Sequence, residues 1–315
     1  MPRLHYFPDV ADDPYQAMIS LAPRAEGWTV AASASLARLL EALRRLGAGD
    51  VLHVTSAAGL LAEAQSGAAA RRAVARFRVA VQAALDRGVR LIWTVDGLAA
   101  SAHPDVELEA ARFLAAHAWR VLGQYPLTPQ AVAAYVGLSA DSYVTLRQAS
   151  YKGIYASASS RAEARAALGI PSDAPVVGIR RGTADVAGVV TAAEPVPTDL
   201  GTWCTACDLL VVAGTSPLDQ SVPVLAATFG RQCVLPSEPH LLDAYGSQSW
   251  VSWYEPGDSR SLADAILAAV PAADDHRDAA LAFADEYTVL DMTGDYLRIL
   301  TDGAVPAVAG AGKAS

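Results

Sequence analysis

The sequence predicts an α/β protein made of two doubly wound, parallel-sheet domains in series. Three observations carry that prediction. Short apolar runs alternate with helical stretches along most of the chain, as they do where helices cover both faces of a parallel sheet. The 315 residues divide into two domains at roughly 100–200 residues each. The charge is also split. Residues 1–150 hold 14 Lys and Arg against 13 Asp and Glu, a net of +1, whereas residues 151–315 hold 10 against 20, a net of −10. Halves of such different charge are distinct bodies.

In the first half, Leu4–Phe7 is a short strand and a helix follows from about Pro14. Trp28–Ala31 is a strand, followed by a helix across Leu36–Leu46. Asp50–Thr55 is a strand of buried type. A long amphipathic helix covers Ala68–Arg87 and stops at Gly88, a good helix end. Val89–Val95 is the clearest strand, nearly all apolar as a central parallel strand should be. A helix over Asp105–His117, a strand at Arg120–Gly123, a helix from Thr128 and a strand at Tyr143–Leu146 complete this half.

The second half repeats the alternation. Arg161–Leu168 is a helix closed by Gly169 and Pro171, and Val176–Ile179 is a strand. A short helix around Cys204–Cys207 leads into the strand Leu209–Val212, then a helix at Val222–Phe229. Gln232–Leu235 and Trp250–Trp253 are strands, and helices follow at Ser261–Val270, His276–Glu286 and Asp291–Leu300. The expected division is 1–148, 149–285, a final helix over 286–302, and an Ala/Gly/Pro-rich tail over 303–315. Two Rossmann-like domains are expected to face each other across a cleft. Ligands of such sheets bind at the carboxyl ends of strands and at helix N-termini.

Composition excludes several functions. With 52% hydrophobic and 18% charged residues the chain buries a large core and is not disordered. No apolar run reaches the 18 or so residues of a spanning helix. The opening residues MPRLHYFPDVADDPYQ carry Pro and Asp where a signal peptide needs an unbroken apolar run, so a cytoplasmic protein is expected. Three cysteines make no disulfide framework and suit a reducing compartment. A formal charge of −9 argues against nucleic acid as the main partner. High Ala, Arg and Gly with only two lysines suggests a bacterial chain of high GC content.

Six segments carry a further signal: YFPDVADDPYQAMI; DVLHVTS (Asp50–Ser56); RGVRLIWTVDGLAASAHP; SYKGIY (Ser150–Tyr155) with ARAALGIPSDAPVVG; TWCTACDLLVVAGTSPLDQSVPVLAATFGRQCVLP; and YTVLDMTGDYLRIL. Their order and spacing resemble the GT-B glycosyltransferases, in particular bacterial sugar-nucleotide-dependent enzymes that build exopolysaccharides and glycolipids. Asp13-Pro14-Tyr15-Gln16 stands where that family often has Asn-Pro-Tyr. The resemblance implies a GT-B-like fold whose C-terminal helix returns to the first domain. It implies transfer of a sugar from a nucleotide-diphosphate donor on the second domain to a hydroxyl acceptor, a saccharide or lipid-linked saccharide, on the first. It also implies no cofactor beyond the nucleotide sugar, and no metal. Asp13 and Tyr15 would lie on the acceptor side.

The chain departs from the family at three points. Asp96, followed by Gly97, stands where the family's T-x-H-N histidine acts. The Glu-x7-Glu pair of many relatives is absent, with Ser221, Val222 and Leu225 in that region. Only about 20 residues separate Gly182 from Thr202, which shortens the second domain.

Each candidate has a chemical and a plain reading. Asp96 ends the clearest strand, where a carboxylate raised toward neutrality by burial can serve as general base; Asp-Gly also simply makes a turn. His103 could supplement it or replace the missing histidine, or lie on the surface. Arg180 and Arg181 leave a strand beside Gly182, and arginine forks match phosphate oxygens; the plain reading is a solvated pair. Ser216, Asp219, Gln220 and Ser221 precede a helix and offer hydroxyls and N–H groups to a phosphate or sugar, or act as a simple N-cap. Tyr151, Lys152 and Tyr155 could contact the donor or pack a hinge. Cys204 and Cys207 have redox spacing without a second Cys/His pair, which favours two buried small residues. Arg71, Arg72, Arg76 and Arg78 make a basic helix that either rests on anionic lipid at the inner membrane face or is a solvated surface.

The sequence therefore favours a metal-independent glycosyltransferase. A catalytically inactive transferase-like subunit or carbohydrate- or nucleotide-binding protein is the main alternative. A two-domain sugar-nucleotide epimerase is a weaker one, for want of a His/Glu set.

Overall fold

The structure is a computed structural model that describes residues 1–10, 14–98, 101–156, 160–179, 186–193, 200–213, 218 and 220–302. Contacts divide it into two compact units. One takes in Tyr15–Arg147, the strand before it and the segment from Leu290; the other takes in Gln148–Val289.

The first unit follows the order β1 (Arg3–Phe7), α1 (Tyr15–Ile19), α2 (Leu21–Ala25), β2 (Thr29–Ala32), α3 (Leu36–Leu43), β3 (Val51–Val54), α4 (Gly67–Asp86), β4 (Arg90–Thr94), α5 (Pro104–His117), β5 (Arg120–Gly123), α6 (Thr128–Val132) and β6 (Tyr143–Thr145). Its six strands lie in the order β2-β1-β3-β4-β5-β6, with every pair parallel. All four residues of β3 are buried, as are four of the five in β4, because helices cover both sheet faces. On α4 the buried residues are Ala70, Val74, Phe77, Val81 and Ala84, whose spacing of four and three lays them on one stripe. The hydroxyls of Ser35 and Ser66 cap α3 and α4 by accepting the N–H groups of Arg38 and Ala69. The register sets Phe7 beside Val54, Val54 beside Trp93 and Trp93 beside Val121, so these strands end at one level.

The second unit follows α7 (Arg161–Leu168), β7 (Val176–Ile179), β8 (Val190–Ala193), α8 (Leu200–Ala206), β9 (Leu209–Val211), α9 (Ser221–Thr228), β10 (Gln232–Pro236), α10 (Pro239–Tyr245), β11 (Val251–Tyr254), α11 (Ser259–Ala269) and α12 (Arg277–Asp285). Its five strands are again all parallel, in the order β11-β10-β9-β7-β8. β8 and α10 were absent from the sequence reading: one is a four-residue edge strand rich in alanine, the other a seven-residue helix. Gly178 lets β7 lie close to its neighbours, because a Cβ there would stand 2.7 Å from Leu210 and Trp203 and 2.8 Å from Cys207 Sγ. At the amino edge of the sheet Arg165, only 5% exposed, bonds the carbonyls of Ala206 and Ser172 and the Asp208 carboxylate. Asp208 in turn accepts the N–H of Val176 at 2.7 Å.

The last helix, α13 (Val289–Asp302), belongs to the first unit from Leu290 onward, so the C-terminal helix returns to the first domain. It buries Met292, Tyr296, Ile299 and Leu300 completely. It also repairs a break. The single helix expected from about Pro14 is split at Ser20, because Pro23 lacks the N–H that would bond the carbonyl of Ile19. Thr293 Oγ1 supplies that donor at 2.9 Å and accepts the N–H of Ala22 at 2.8 Å.

Candidate functional site

In a parallel sheet all strands present their carboxyl ends on one edge, and the loops there carry chemistry. On the first unit, the ladder runs one residue beyond β4, with Val95 N–H donating to Leu122 O at 2.8 Å. Asp96 is thus the first side chain to leave the sheet, and it is half-buried. Next to it in the sheet, Thr55 follows β3, and its N–H bonds Phe7 O at 2.7 Å. Gln16 crosses this edge, donating to Pro8 O at 2.6 Å and to Thr55 Oγ1 at 3.2 Å.

The loop after β4 is held by Glu107, a residue that the sequence reading missed. Glu107 is fully buried in the first turn of α5, and its Oε2 accepts the N–H of Ser101 at 2.7 Å. Its Oε1 is buried without a hydrogen-bond partner. The signal was available. Residues 107, 110, 111 and 114 form one i, i+3, i+4, i+7 stripe with Ala110, Ala111 and Leu114, and all are buried. His103 precedes α5, its N–H bonded to Ser101 Oγ at 3.2 Å and its Nε2 donating to Ala64 O at 3.3 Å. In that tautomer Nδ1 keeps its lone pair for a proton. Asp96 and His103 therefore flank the segment after β4, in which Ser101 is tied to a buried carboxylate.

His53, inside β3, is a second titratable group near this edge but belongs to the core. Its Nδ1 lies 2.7 Å from Tyr296 Oη and its Nε2 2.7 Å from Thr94 Oγ1. One nitrogen donates and the other accepts, so neutral imidazole satisfies both hydroxyls. Burial pushes its pKa down to about 3, which removes it from acid–base work near neutrality. Tyr15, expected on the acceptor side, is buried in α1.

On the second unit, β7 ends at Ile179 and β9 at Val211. The candidates Arg180, Arg181, Ser216 and Asp219, together with Asp13, lie outside the described residues. Gln220 and Ser221 are described. Ser221 opens α9 and is half-buried; Gln220 is buried before it, but its Oε1 accepts the N–H of Gln148 at 2.9 Å and caps nothing. Beyond Val211, Val212 O accepts the Tyr254 hydroxyl at 2.9 Å.

The structure does not bring Tyr151 and Lys152 to this edge. Tyr151 N–H donates to Thr228 Oγ1 at 3.0 Å, and Thr228 is the last residue of α9. Lys152 pairs with Asp285 on α12. Eight residues of helix, roughly 12 Å, separate them from Ser221. The segment from Gln148 to Tyr151 runs alongside α9 from its start to its end, so the described members of the expected donor set lie at opposite ends of that helix.

Cys204 and Cys207 are buried, and burial above all raises the Cys207 thiol to about 12, which suits packing and not redox exchange. Among the described residues no three His, Cys, Asp or Glu gather as a metal site requires. Arg71, Arg72, Arg76 and Arg78 are exposed on α4, and Arg78 pairs with Glu109 at 3.2 Å. Among the described residues no helix is long and apolar enough to cross a membrane.

No protein-family model matches the chain, and no curated protein does. Solved structures do. The Anabaena protein HepE in complex with UDP and glucose is 13% identical, with 95% of this chain and 99% of that chain covered and a TM-score of 0.69. Sucrose-phosphate synthase from Thermosynechococcus elongatus is 13% identical, covering 96% and 100%, with a TM-score of 0.70. WaaG, a glycosyltransferase involved in lipopolysaccharide biosynthesis, is 10% identical, covering 96% and 100%, with a TM-score of 0.63. At these identities the likeness establishes the fold: two parallel-sheet α/β units of GT-B type.

Proposed function

We propose that the protein transfers a sugar from a nucleotide-diphosphate donor to a hydroxyl acceptor, without a metal. The observation that carries this reading is the match of nearly the whole chain to structures such as HepE, which holds UDP and glucose. The half-buried carboxylate of Asp96 at the carboxyl edge of the first sheet supports it.

In the proposed reaction Asp96 takes the proton of the acceptor hydroxyl as its oxygen bonds to the anomeric carbon of the donor. The bond from that carbon to the diphosphate oxygen breaks, and the nucleoside diphosphate leaves with the electron pair. His103 is the second basic group on the same loop, and Glu107 holds that loop in place. Arg180 and Arg181 neutralise the leaving diphosphate; Ser216, Gln220 and Ser221, before and at the start of α9, offer it hydroxyl and N–H donors, and Asp219 accepts a hydroxyl of the sugar. The acceptor is a saccharide or lipid-linked saccharide of a bacterial cell. Arg71, Arg72, Arg76 and Arg78 bring α4 to anionic lipid at the inner face of the membrane. Two features support that contact. Val79 on α4 is 73% exposed, and an apolar groove between α3 and α4, with Leu40 and Leu43 among its lining residues, is bordered by Arg44, Arg76 and Arg87.

The test is a thermal-shift screen against UDP, GDP and their sugars, followed by donor hydrolysis and transfer assays on each hit. Arg180→Ala and Arg181→Ala should each weaken binding of the nucleoside diphosphate, but not of the nucleoside, by about 1.5–3 kcal/mol. Binding without hydrolysis or transfer would favour the inactive binding subunit, the reading that Asp96 in place of a family histidine supports.

A further inference from the structure

We propose that the second unit carries a separate site for a small organic phosphate at the amino edge of its sheet, formed by Arg231, Arg277, Lys152 and Arg161 with the rings of Tyr151 and Tyr155. The site goes beyond the transfer reaction, whose described donor contact Ser221 lies at the other end of α9.

A cavity of about 680 Å³ opens there, bordered by the start of α7, the ends of α8 and α9, the start of α12 and the segment from Tyr151 to Tyr155. Its charge is one-sided. Residues 151–315 hold 10 Lys and Arg against 20 Asp and Glu, yet four of those ten cations line this one cavity and no carboxylate does. Chance distribution on an acidic surface would mix the signs. Gathering like charges costs energy that an anion recovers.

Direct ion pairs with the neighbouring carboxylates engage two of the four cations, and the Asp274 charge also reaches Arg231 and Arg277. Asp285 pairs with Lys152, while Asp274 and Asp208 pair with Arg161. Arg165 takes the other oxygen of Asp208. Arg231 and Arg277 form no ion pair among the described residues. Arg231 is only 4% exposed, and its guanidinium donates to the carbonyls of Cys204 at 3.1 Å and Thr205 at 2.8 Å. Its Nη1 is buried without a hydrogen-bond partner. A buried donor on a charged group is costly to leave unmade, and two backbone carbonyls hold the fork in position. Burial first, then the nearby Arg161 and Arg277 charges, lower its pKa to about 10, so it remains a cation at neutral pH.

The cavity exceeds what inorganic phosphate needs and falls in the range of small-molecule sites, roughly 300–1,000 Å³. Tyr151 and Tyr155 stand with ring centroids 5.5 Å apart and give the ligand body an aromatic wall. The hydroxyls of Thr205 and Thr228 donate to the carbonyls of Gly201 and Val224, so the cations must supply the donors to an anion. Phosphate on Arg231 and Arg277, with a sugar or base against the tyrosines, fits this arrangement.

The full-length protein should be titrated calorimetrically with inorganic phosphate, glucose 6-phosphate and AMP, each with and without saturating UDP. Arg277→Ala is the first variant, since Arg277 is exposed and its loss spares the core. At least one organic phosphate should bind more tightly than inorganic phosphate, unaffected by UDP, and Arg277→Ala should weaken it at least about tenfold with UDP affinity unchanged. Arg231→Lys, which keeps the charge but loses the fork, should weaken it as well, and a thermal melt of each variant reports folding. The site is refuted if none of the three phosphates binds at about 10 mM, if UDP displaces the ligand, or if Arg277→Ala binds it like the parent. If the protein binds no UDP, the transfer reading suffers while the phosphate titration keeps its meaning.

Discussion

The hydroxyl of Tyr296 stands 2.7 Å from Nδ1 of His53, across 243 residues of sequence. One hydrogen bond thereby joins the C-terminal helix to a central strand of the first sheet, and the second ring nitrogen extends the tie to Thr94 on β4. Tyr296→Phe removes the hydroxyl and leaves a fully buried ring nitrogen without its partner. The variant should lose about 1–3 kcal/mol of stability, read as a lower urea midpoint at unchanged slope.

The same histidine makes stability depend on pH. Its folded pKa is about 3, against an ordinary value of 6.5, so between those limits the unfolded chain binds a proton that the folded chain does not. Stability is therefore complete above about pH 6.5 and declines as pH falls toward 3, by at most about 1.4 kcal/mol per unit from this group. His5, also lowered by burial, adds in the same direction. Urea titrations at pH 7, 6, 5 and 4 should show a shallower decline for His53→Gln than for the parent. Parallel declines would mean that His53 is not the group responsible.

Thr293 serves two backbone groups at once, the carbonyl that Pro23 leaves without a donor and the N–H of Ala22. Thr293→Val has nearly the same shape and can serve neither. A loss of about 1–3 kcal/mol is expected. Hydrogen exchange should speed up at Ala22 before it does in the central strands.

Gly178 and Gly97 should respond oppositely to one methyl group. At Gly178 the added carbon meets Leu210, Trp203 and Cys207 at 2.7–2.8 Å, so Gly178→Ala should cost about 1–3 kcal/mol through overpacking. At Gly97 nothing lies within 4 Å, and Gly97→Ala should change stability by no more than about 0.5 kcal/mol. Thermal melts of the two variants side by side decide this.

Asp96→Asn keeps the shape and the turn-forming tendency of the residue while removing its capacity to take a proton. Transfer should fall by roughly 10²–10⁴-fold, with donor binding almost unchanged. Activity close to that of the parent would reduce Asp96 to a turn residue.

Much of the fold was legible because its signals are local. VLHV, RLIWT, VVGI and QCVLP are mostly apolar, as strands covered on both faces are, and the stripe on α4 is written at helical spacing. The strand VTAA was not legible, since it shows no periodicity and is a strand only by pairing with β7. The break at Ser20 depended on Pro23 but also on a threonine some 270 residues away.

The candidate site divides in the same way. Asp96 was legible because it directly follows the strongest strand, whereas Glu107 was missed although it lies on a buried stripe of its own helix. Tyr151 and Lys152 were grouped with Ser221 because the chain junction and the loop before α9 both resemble donor-binding segments. The structure sends them to opposite ends of one helix.

The sequence by itself determined most of the strands and helices and that the sheets are parallel and doubled. Propensity, capping and apolar spacing act over a few residues, so they are present in the chain before it folds. Tertiary structure alone decided the pairing of His53 with Tyr296, the rescue of Ile19 by Thr293 and the meeting of Lys152, Arg161, Arg231 and Arg277 around one cavity. Those contacts close long loops, and they exist only because burial of the apolar faces brings distant segments together and holds their polar groups where water cannot satisfy them.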